Sequence, residues 1–228
     1  DAVATLEHAY EGCPDIQDRV LKQLAKASEK AADRAEKKGD VAAAETYRNK
    51  LAQYASSAGG SVGYKLITDR MKAKDYNGAI SAAQDFLAKN PTSDKNSSVY
   101  LNMARSQGAI GQASASFASY RSYLTLKPAD GKVAGEFIEK LAEAERCEEA
   151  LGEAQAAWGR TDAVGRVYVS YGWGKGLECA GSYVEAKEKF QYVVANGSGE
   201  IKGWASQEVT RQEQLEQRRQ MQRQNAGR

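Results

Sequence analysis

Histidine is almost missing from this chain: His8 stands alone among 228 residues. A histidine-based catalytic triad or a Cys/His zinc site therefore lacks its parts, and no metal ligand or catalytic residue is assigned. Cysteine is scarce as well. Cys13, Cys147 and Cys179 show no C-x-x-C spacing, and an odd number cannot all pair within one chain. Cys147 and Cys179 are expected to be small buried hydrophobes, and Cys13, in EGCPD, to lie in an exposed turn. With three prolines, the chain has little to interrupt helices. Its one β-branched run is RVYVS at 166–170, too little for a sheet. No apolar stretch approaches the roughly 20 residues of a bilayer span, so no direct membrane insertion is expected. An excess of one charge is missing too. The 32 basic residues face 30 acidic ones, a net +2, which supplies no general drive toward nucleic acid.

What is present favours helices. Hydrophobic residues make up 42% of the chain, and Ala, Glu, Lys and Gln are abundant. Val3, Leu6 and Tyr10 share one helical stripe before Gly12 and Pro14 break it. Asp15 is expected to cap a helix carrying Ile16, Val20, Leu21 and Leu24, and Gly39-Asp40 to start one carrying Val41, Ala44, Tyr47 and Leu51. Residues 56–61, SSAGGS, read as a loop. The clearest phrase is KDYNGAISAAQDFLAKNP at 74–91: a turn, an amphipathic helix and a proline stop. A later stripe joins Phe117, Tyr120, Tyr123, Leu124 and Leu126.

That phrase recurs. Aligned on Pro91 and Pro128, Tyr76 falls on Ala113, Ala79 on Ser116, Ile80 on Phe117 and Phe86 on Tyr123. GDVAAAETYRNKL at 39–51 and GSYVEAKEKFQYVV at 181–194 share the turn without the proline. The marks Lys74-Asp75-Tyr76, Ala79-Ile80, Asn90-Pro91, Ala104, Gly111, Gly174, Gly181, Tyr183, Ala186 and Phe190 resemble the tetratricopeptide repeat (TPR) family.

The resemblance implies an all-α, right-handed α-α superhelix of about five helical hairpins with a polar C-terminal capping helix. The repeat domain is expected over 1–210. Its clearest units fall at about 60–91, 97–128 and 167–197, with degenerate ones at 1–58 and 129–165. Phe137, Ile138, Leu141, Leu151 and Trp158 are expected to pack inward in the last of these, and Ile201, Trp204, Ala205 and Val209 to form the inner stripe of the cap. Residues 211–228, with five arginines and two glutamates, are expected to form a polar basic tail, a frayed helix or disordered.

Few stretches compete as sites of chemistry. YVSYGWGKG at 168–176 alternates glycine with aromatic and basic residues, but it has neither dinucleotide-loop nor P-loop spacing. In the repeat frame Gly174 lets two helices approach. Its glycines weaken the helix, which is expected to be bent or locally mobile. The carboxylates at 143–149 read as a solvated mixed-charge face.

The resemblance implies a concave groove lined by the first helix of each unit. By position that groove takes Tyr64, Lys65 and Thr68, then Asn102 and Arg105, then Tyr168, Tyr171 and Lys175. Tyrosine supplies contact area with a polar end, and the basic residues add charge selectivity. A chaperone-type carboxylate clamp is not expected, because Tyr64 and Thr68 stand where it needs lysine and asparagine.

The expected function is a non-catalytic scaffold or adaptor that binds a peptide or protein segment, without cofactor and without nucleic acid. A self-assembling or envelope-associated structural protein, forming homo-oligomers, is the alternative. A start at Asp1 suits a processed or trimmed form, with the bacterial periplasm or cell envelope as the expected location and the cytoplasm as the alternative.

Overall fold

The computed structural model describes residues 2–12, 17–55 and 60–226. These form twelve helices: α1 (Ala2–Gly12), α2 (Gln17–Lys37), α3 (Val41–Ala55), α4 (Gly60–Lys72), α5 (Tyr76–Lys89), α6 (Asn96–Ala109), α7 (Ala113–Leu126), α8 (Gly131–Glu143), α9 (Cys147–Arg160), α10 (Ala163–Cys179), α11 (Tyr183–Asn196) and α12 (Gly199–Ala226). No strand occurs among the described residues. Cys13, Asp15 and Ile16, and positions 56–59 of the expected loop, lie outside the described residues. Gly60 and Ser61, assigned to that loop from sequence, begin α4 instead.

Five hairpins, α2–α3 through α10–α11, turn by one device. A residue with positive φ follows the first helix of each pair: Gly39 (75°), Lys74 (58°), Gly111 (78°), Glu145 (58°) and Gly181 (79°). The next amide then donates back to a carbonyl five residues earlier, as Asp40 to Ala35, Asp75 to Arg70, Gln112 to Gln107, Arg146 to Leu141 and Ser182 to Leu177. This closes the exposed carbonyls of the helix end. Aspartates start several helices. Asp40 accepts from the Ala43 amide at 3.0 Å, Asp75 from Gly78 at 2.9 Å, Asp130 from Val133 at 3.1 Å and Asp162 from Gly165 at 2.7 Å. The degenerate stretch 129–165 therefore holds a complete hairpin, α8–α9, whose turn residue is Glu145 rather than glycine.

The chain divides into two compact units, Asp1–Ser119 and Tyr120–Arg228, and the division falls within α7. In the first unit, Val3, Val20, Leu21, Leu24, Leu51 and Leu66 build one core, with Leu6, Tyr10 and Tyr47 against it. Ile67, Ala83, Phe86 and Val99 build another. Val41 leaves its expected stripe and is exposed: it opens α3, beyond the last turn of α2, so nothing covers it. Ser116 takes the place of Ala79 one repeat on, and its hydroxyl donates to the Ala104 carbonyl at 2.8 Å.

In the second unit, Phe137, Ile138 and Leu141 are fully buried, as expected, while Trp158 is half-buried. Leu126, the last residue of α7, is exposed where an inward stripe was expected. Phe190 and Val193 anchor α11 beneath α10. A Cβ at Gly174 would stand 2.6 Å from the Phe190 ring, so that glycine does admit the neighbouring helix. Despite its glycines, α10 is one helix from Ala163 to Cys179. Its other glycines explain why they are tolerated. A Cβ at Gly172 would stand 2.5 Å from the Gly135 carbonyl oxygen, and Gly131 lies against the backbone of Gly165. Helices α8 and α10 thus touch backbone to backbone.

One expectation for this unit changes. Cys147 and Cys179 are not isolated buried hydrophobes but a disulfide, Cα to Cα 5.4 Å, joining the start of α9 to the end of α10. Helical pairs bring residues distant in sequence to one edge, which spacing alone does not reveal. The basic segment from Arg211 is helical, since α12 continues to Ala226, and Gln212 within it is buried. Its Glu213 and Glu216 reach Lys187 on α11 at 3.3 and 3.5 Å.

Gly135→Ala is expected to destabilise the protein by about 1–3 kcal/mol, because overpacking outweighs the gain in helix propensity. Gly152→Ala, where nothing lies within 4 Å of the new methyl, is expected to stabilise by about 0.5–1 kcal/mol. Urea unfolding of both variants checks the opposite signs. Removing the disulfide by Cys147→Ser with Cys179→Ser is expected to lower stability by about 3–4 kcal/mol, from the lost constraint on the unfolded chain. Melting of wild type and the double variant, each with and without reductant, checks this, and the variant should not respond to reductant.

Candidate functional site

The glycine contact sets the floor of a cleft. Because α8 and α10 meet at their backbones, their larger side chains are displaced to the rims. Lys132, Glu136 and Glu139 recur at i, i+4 and i+7 on α8, and Tyr168, Tyr171 and Lys175 at i, i+3 and i+7 on α10. Helix α12 closes the third side with Ile201 and Trp204. The resulting open cleft has a volume of about 480 Å³.

Aromatic rings dominate it. Trp204 is 49% exposed, unusual for tryptophan, although the sequence placed it on the inner stripe of the cap. Ile201 and Ala205 occupy the buried side of α12, and Trp204 turns toward the cleft. Tyr171 lies 6.3 Å from Trp204 and 5.6 Å from Phe190, ring centre to ring centre. Burial and the nearby carboxylates, Glu139 foremost, push the Tyr171 hydroxyl up to about 12, so it stays a donor. The Lys132 ammonium sits 5.8 Å from the Tyr168 ring centre, a cation–π contact.

The cleft's charges are unevenly paired. Lys175 bonds Glu208 on α12 and approaches Glu178 at 3.6 Å, while Arg211 bonds both Glu178 and Glu208. Burial opposes ionisation of Glu208, but its bonds from Lys175 and Arg211 outweigh that and hold it below the usual carboxylate range. Glu136 accepts from the Tyr120 hydroxyl at 2.6 Å, and Glu143 pairs with Lys140 at 2.7 Å. Half-buried Glu139 has no hydrogen bond or ion pair among the described residues. Burial, then the Glu143 charge, pushes its carboxyl above the usual range.

The eight groove positions expected from the sequence divide between the units. Tyr168 and Tyr171 line the α8–α10–α12 cleft. Lys175 stands beside it, tied to α12. The other five belong to the first unit. Tyr64 packs half-buried against the core containing Ile67 and Phe86. Lys65 is engaged by Glu29 and by Asp69 at 3.0 Å, and the Glu29 bond foremost holds its ammonium above the ordinary value. The Thr68 hydroxyl donates to the Lys65 carbonyl. Asn102 Nδ2 is buried without a hydrogen-bond partner among the described residues, and Arg105 is exposed. Sequence reasoning missed Lys132, Glu136 and Glu139, which lie in the stretch without repeat marks. Their i, i+4, i+7 spacing was the available signal.

Solved structures with the same arrangement of helices are found. The chain is similar to a crystal structure of MamA, with TM-score 0.58 and 16% identity over 75% of this chain and 91% of that one. It is also similar to BtubC from P. vanneervenii, with TM-score 0.55 and 13% identity over 90% and 88%. The fold is that of the tetratricopeptide-repeat solenoids. No family model matches the sequence, and no curated protein matches it. Among the described residues no helix is long and apolar enough to cross a membrane, and no cluster of His, Cys, Asp and Glu is placed to hold a metal ion.

The Glu208 network makes stability depend on pH. Its folded pKa is depressed, so its stabilisation is present above the unfolded value of about 4.3 and is lost as pH falls through the folded value. Melting temperature is therefore expected to fall more steeply on acidification for wild type than for Glu208→Gln, which cannot titrate there.

Proposed function

We propose that this protein is a non-catalytic interaction scaffold that holds a peptide or protein segment in the α8–α10–α12 cleft. The observation that carries this reading is the half-exposed Trp204, set with Tyr168 and Tyr171 in a concave surface. Exposed aromatic side chains in a concavity are the anchors on which protein association most often depends. Likeness of fold alone would not support it, since one fold hosts many functions. The pairing of Lys175 and Arg211 with Glu178 and Glu208 fixes α12 against α10, so the aromatic walls are held in place before a ligand arrives.

The alternative, an envelope-associated structural protein that self-assembles, has one supporting feature. The Cys147–Cys179 disulfide suits an oxidising compartment such as the periplasm or cell envelope. Location and binding are separable, and the scaffold reading holds in either compartment.

Affinity capture from native extract with the whole chain tests the binding surface. Trp204→Ala is expected to weaken partner recovery by about 30-fold, the effect of losing an anchor worth ~2 kcal/mol. The triple variant Tyr64→Ala, Asn102→Ala, Arg105→Ala is the comparison. If it abolishes capture and Trp204→Ala does not, binding lies in the first unit. If neither variant changes capture, the groove reading is wrong.

A further inference from the structure

The charge balance of the cleft specifies its occupant more narrowly. Among the described residues no charged group of α10 or α12 lines the cleft itself, and those beside it are committed. Lys175, Glu178, Glu208 and Arg211 bond one another. On α8, Glu143 has Lys140, Glu136 has the Tyr120 hydroxyl, and the Lys132 ammonium lies over Tyr168. Glu139 remains. It lines a space walled by Tyr171 and Trp204, half-buried, with the Lys140 and Lys175 charges near it but no bonded partner among the described residues. A carboxylate withdrawn from water without a bond is unfavourable, and a cation arriving there removes that penalty.

The walls suit the same ligand. Aromatic faces attract cations and also cover the methylene stem of a long basic side chain. The cleft's rings already show this chemistry twice, in Lys132 over the Tyr168 ring at 5.8 Å and Lys175 over the Tyr171 ring at 5.9 Å. An acidic or phosphorylated segment would instead meet Glu136 and Glu139 and be repelled.

We propose that the cleft takes a peptide segment through a lysine or arginine side chain, its charged head bonded to Glu139 and its stem lying across Tyr171 and Trp204. This rests on the cleft being the binding surface, and it adds the chemistry of the residue that surface selects. Glu139 supplies selectivity for charge, and the rings supply contact area. Lys132, at the other end of α8, repels a second basic residue and so limits the preference to one position. The segment selected has a single basic residue flanked by apolar or small ones.

The test uses the whole chain with isotope-labelled tryptophan and mixtures of acetylated, amidated heptapeptides. The centre is arginine, citrulline or glutamate, and the flanking positions are randomised over apolar and small residues. Citrulline keeps the shape of arginine without its charge. The readout is the Trp204 indole resonance, assigned by its disappearance in Trp204→Phe. The arginine mixture is expected to saturate the shift at about tenfold lower concentration than citrulline, the worth of one charge-assisted hydrogen bond. That preference should vanish in Glu139→Gln, and Glu139→Lys should favour the glutamate mixture.

Equal response to arginine and citrulline in wild type would overturn the inference while leaving the cleft as a binding surface. An arginine preference that survives Glu139→Gln would overturn it as well. A Trp204 resonance that no mixture moves would overturn both this inference and the cleft reading.

Discussion

Helices α8 and α10 touch through their backbones, and the second unit is arranged around that contact. Gly131 meets Gly165, and Gly135 meets Gly172 and the backbone of Tyr168. Two helices carrying ordinary side chains stand 8–10 Å apart, and glycine at the crossing lets them come closer. Close approach pushes the flanking residues outward into two rims, with Glu136 and Glu139 on one and Tyr168 and Tyr171 on the other. The glycines lower helix propensity, and α10 is nevertheless continuous. Phe190, Val193 and the disulfide to α9 hold it from its other sides.

The third wall depends on α12. Its attachment is partly apolar, through Ile201 and Ala205, and partly ionic, through Glu208, Arg211 and the buried Gln212. The ionic part is a network rather than one exposed pair, and Glu178 and Glu208 are largely shielded from solvent. Trp204 owes its exposure to this arrangement. Trp204 shares a side of α12 with Ile201 and Ala205 but stands at the edge of their buried face, and the cleft is what it meets.

Much of this was legible in the residues and some was not. The repeat phrase at 74–91 located α5, and its echoes located α3, α7 and α11, because apolar periodicity and turn residues are local properties. The α8–α9 hairpin lacked the tyrosine and the proline, and its turn uses Glu145 at φ 58° where glycine is customary. Its apolar stripe, Phe137, Ile138 and Leu141, was still readable. The disulfide was not, since nothing in the spacing of Cys147 and Cys179 distinguishes a bonded pair from two separate thiols. Lys65 and Lys175 read as available cations, yet each is bound to carboxylates distant in sequence.

What the sequence by itself determined is the run of helices, four of the five hairpin turns and the faces that pack. These follow from φ/ψ preferences and from apolar spacing within a few residues. Tertiary structure alone decided which polar side chains remain without a partner. Glu139 differs from Glu136 and Glu143 on α8 in what stands within reach: Tyr120 on α7 and Lys140 supply their partners, and none of the described residues bonds Glu139. Charge pairing and desolvation depend on distance in space, so the cleft at Trp204 and Glu139 exists only once those three helices are assembled.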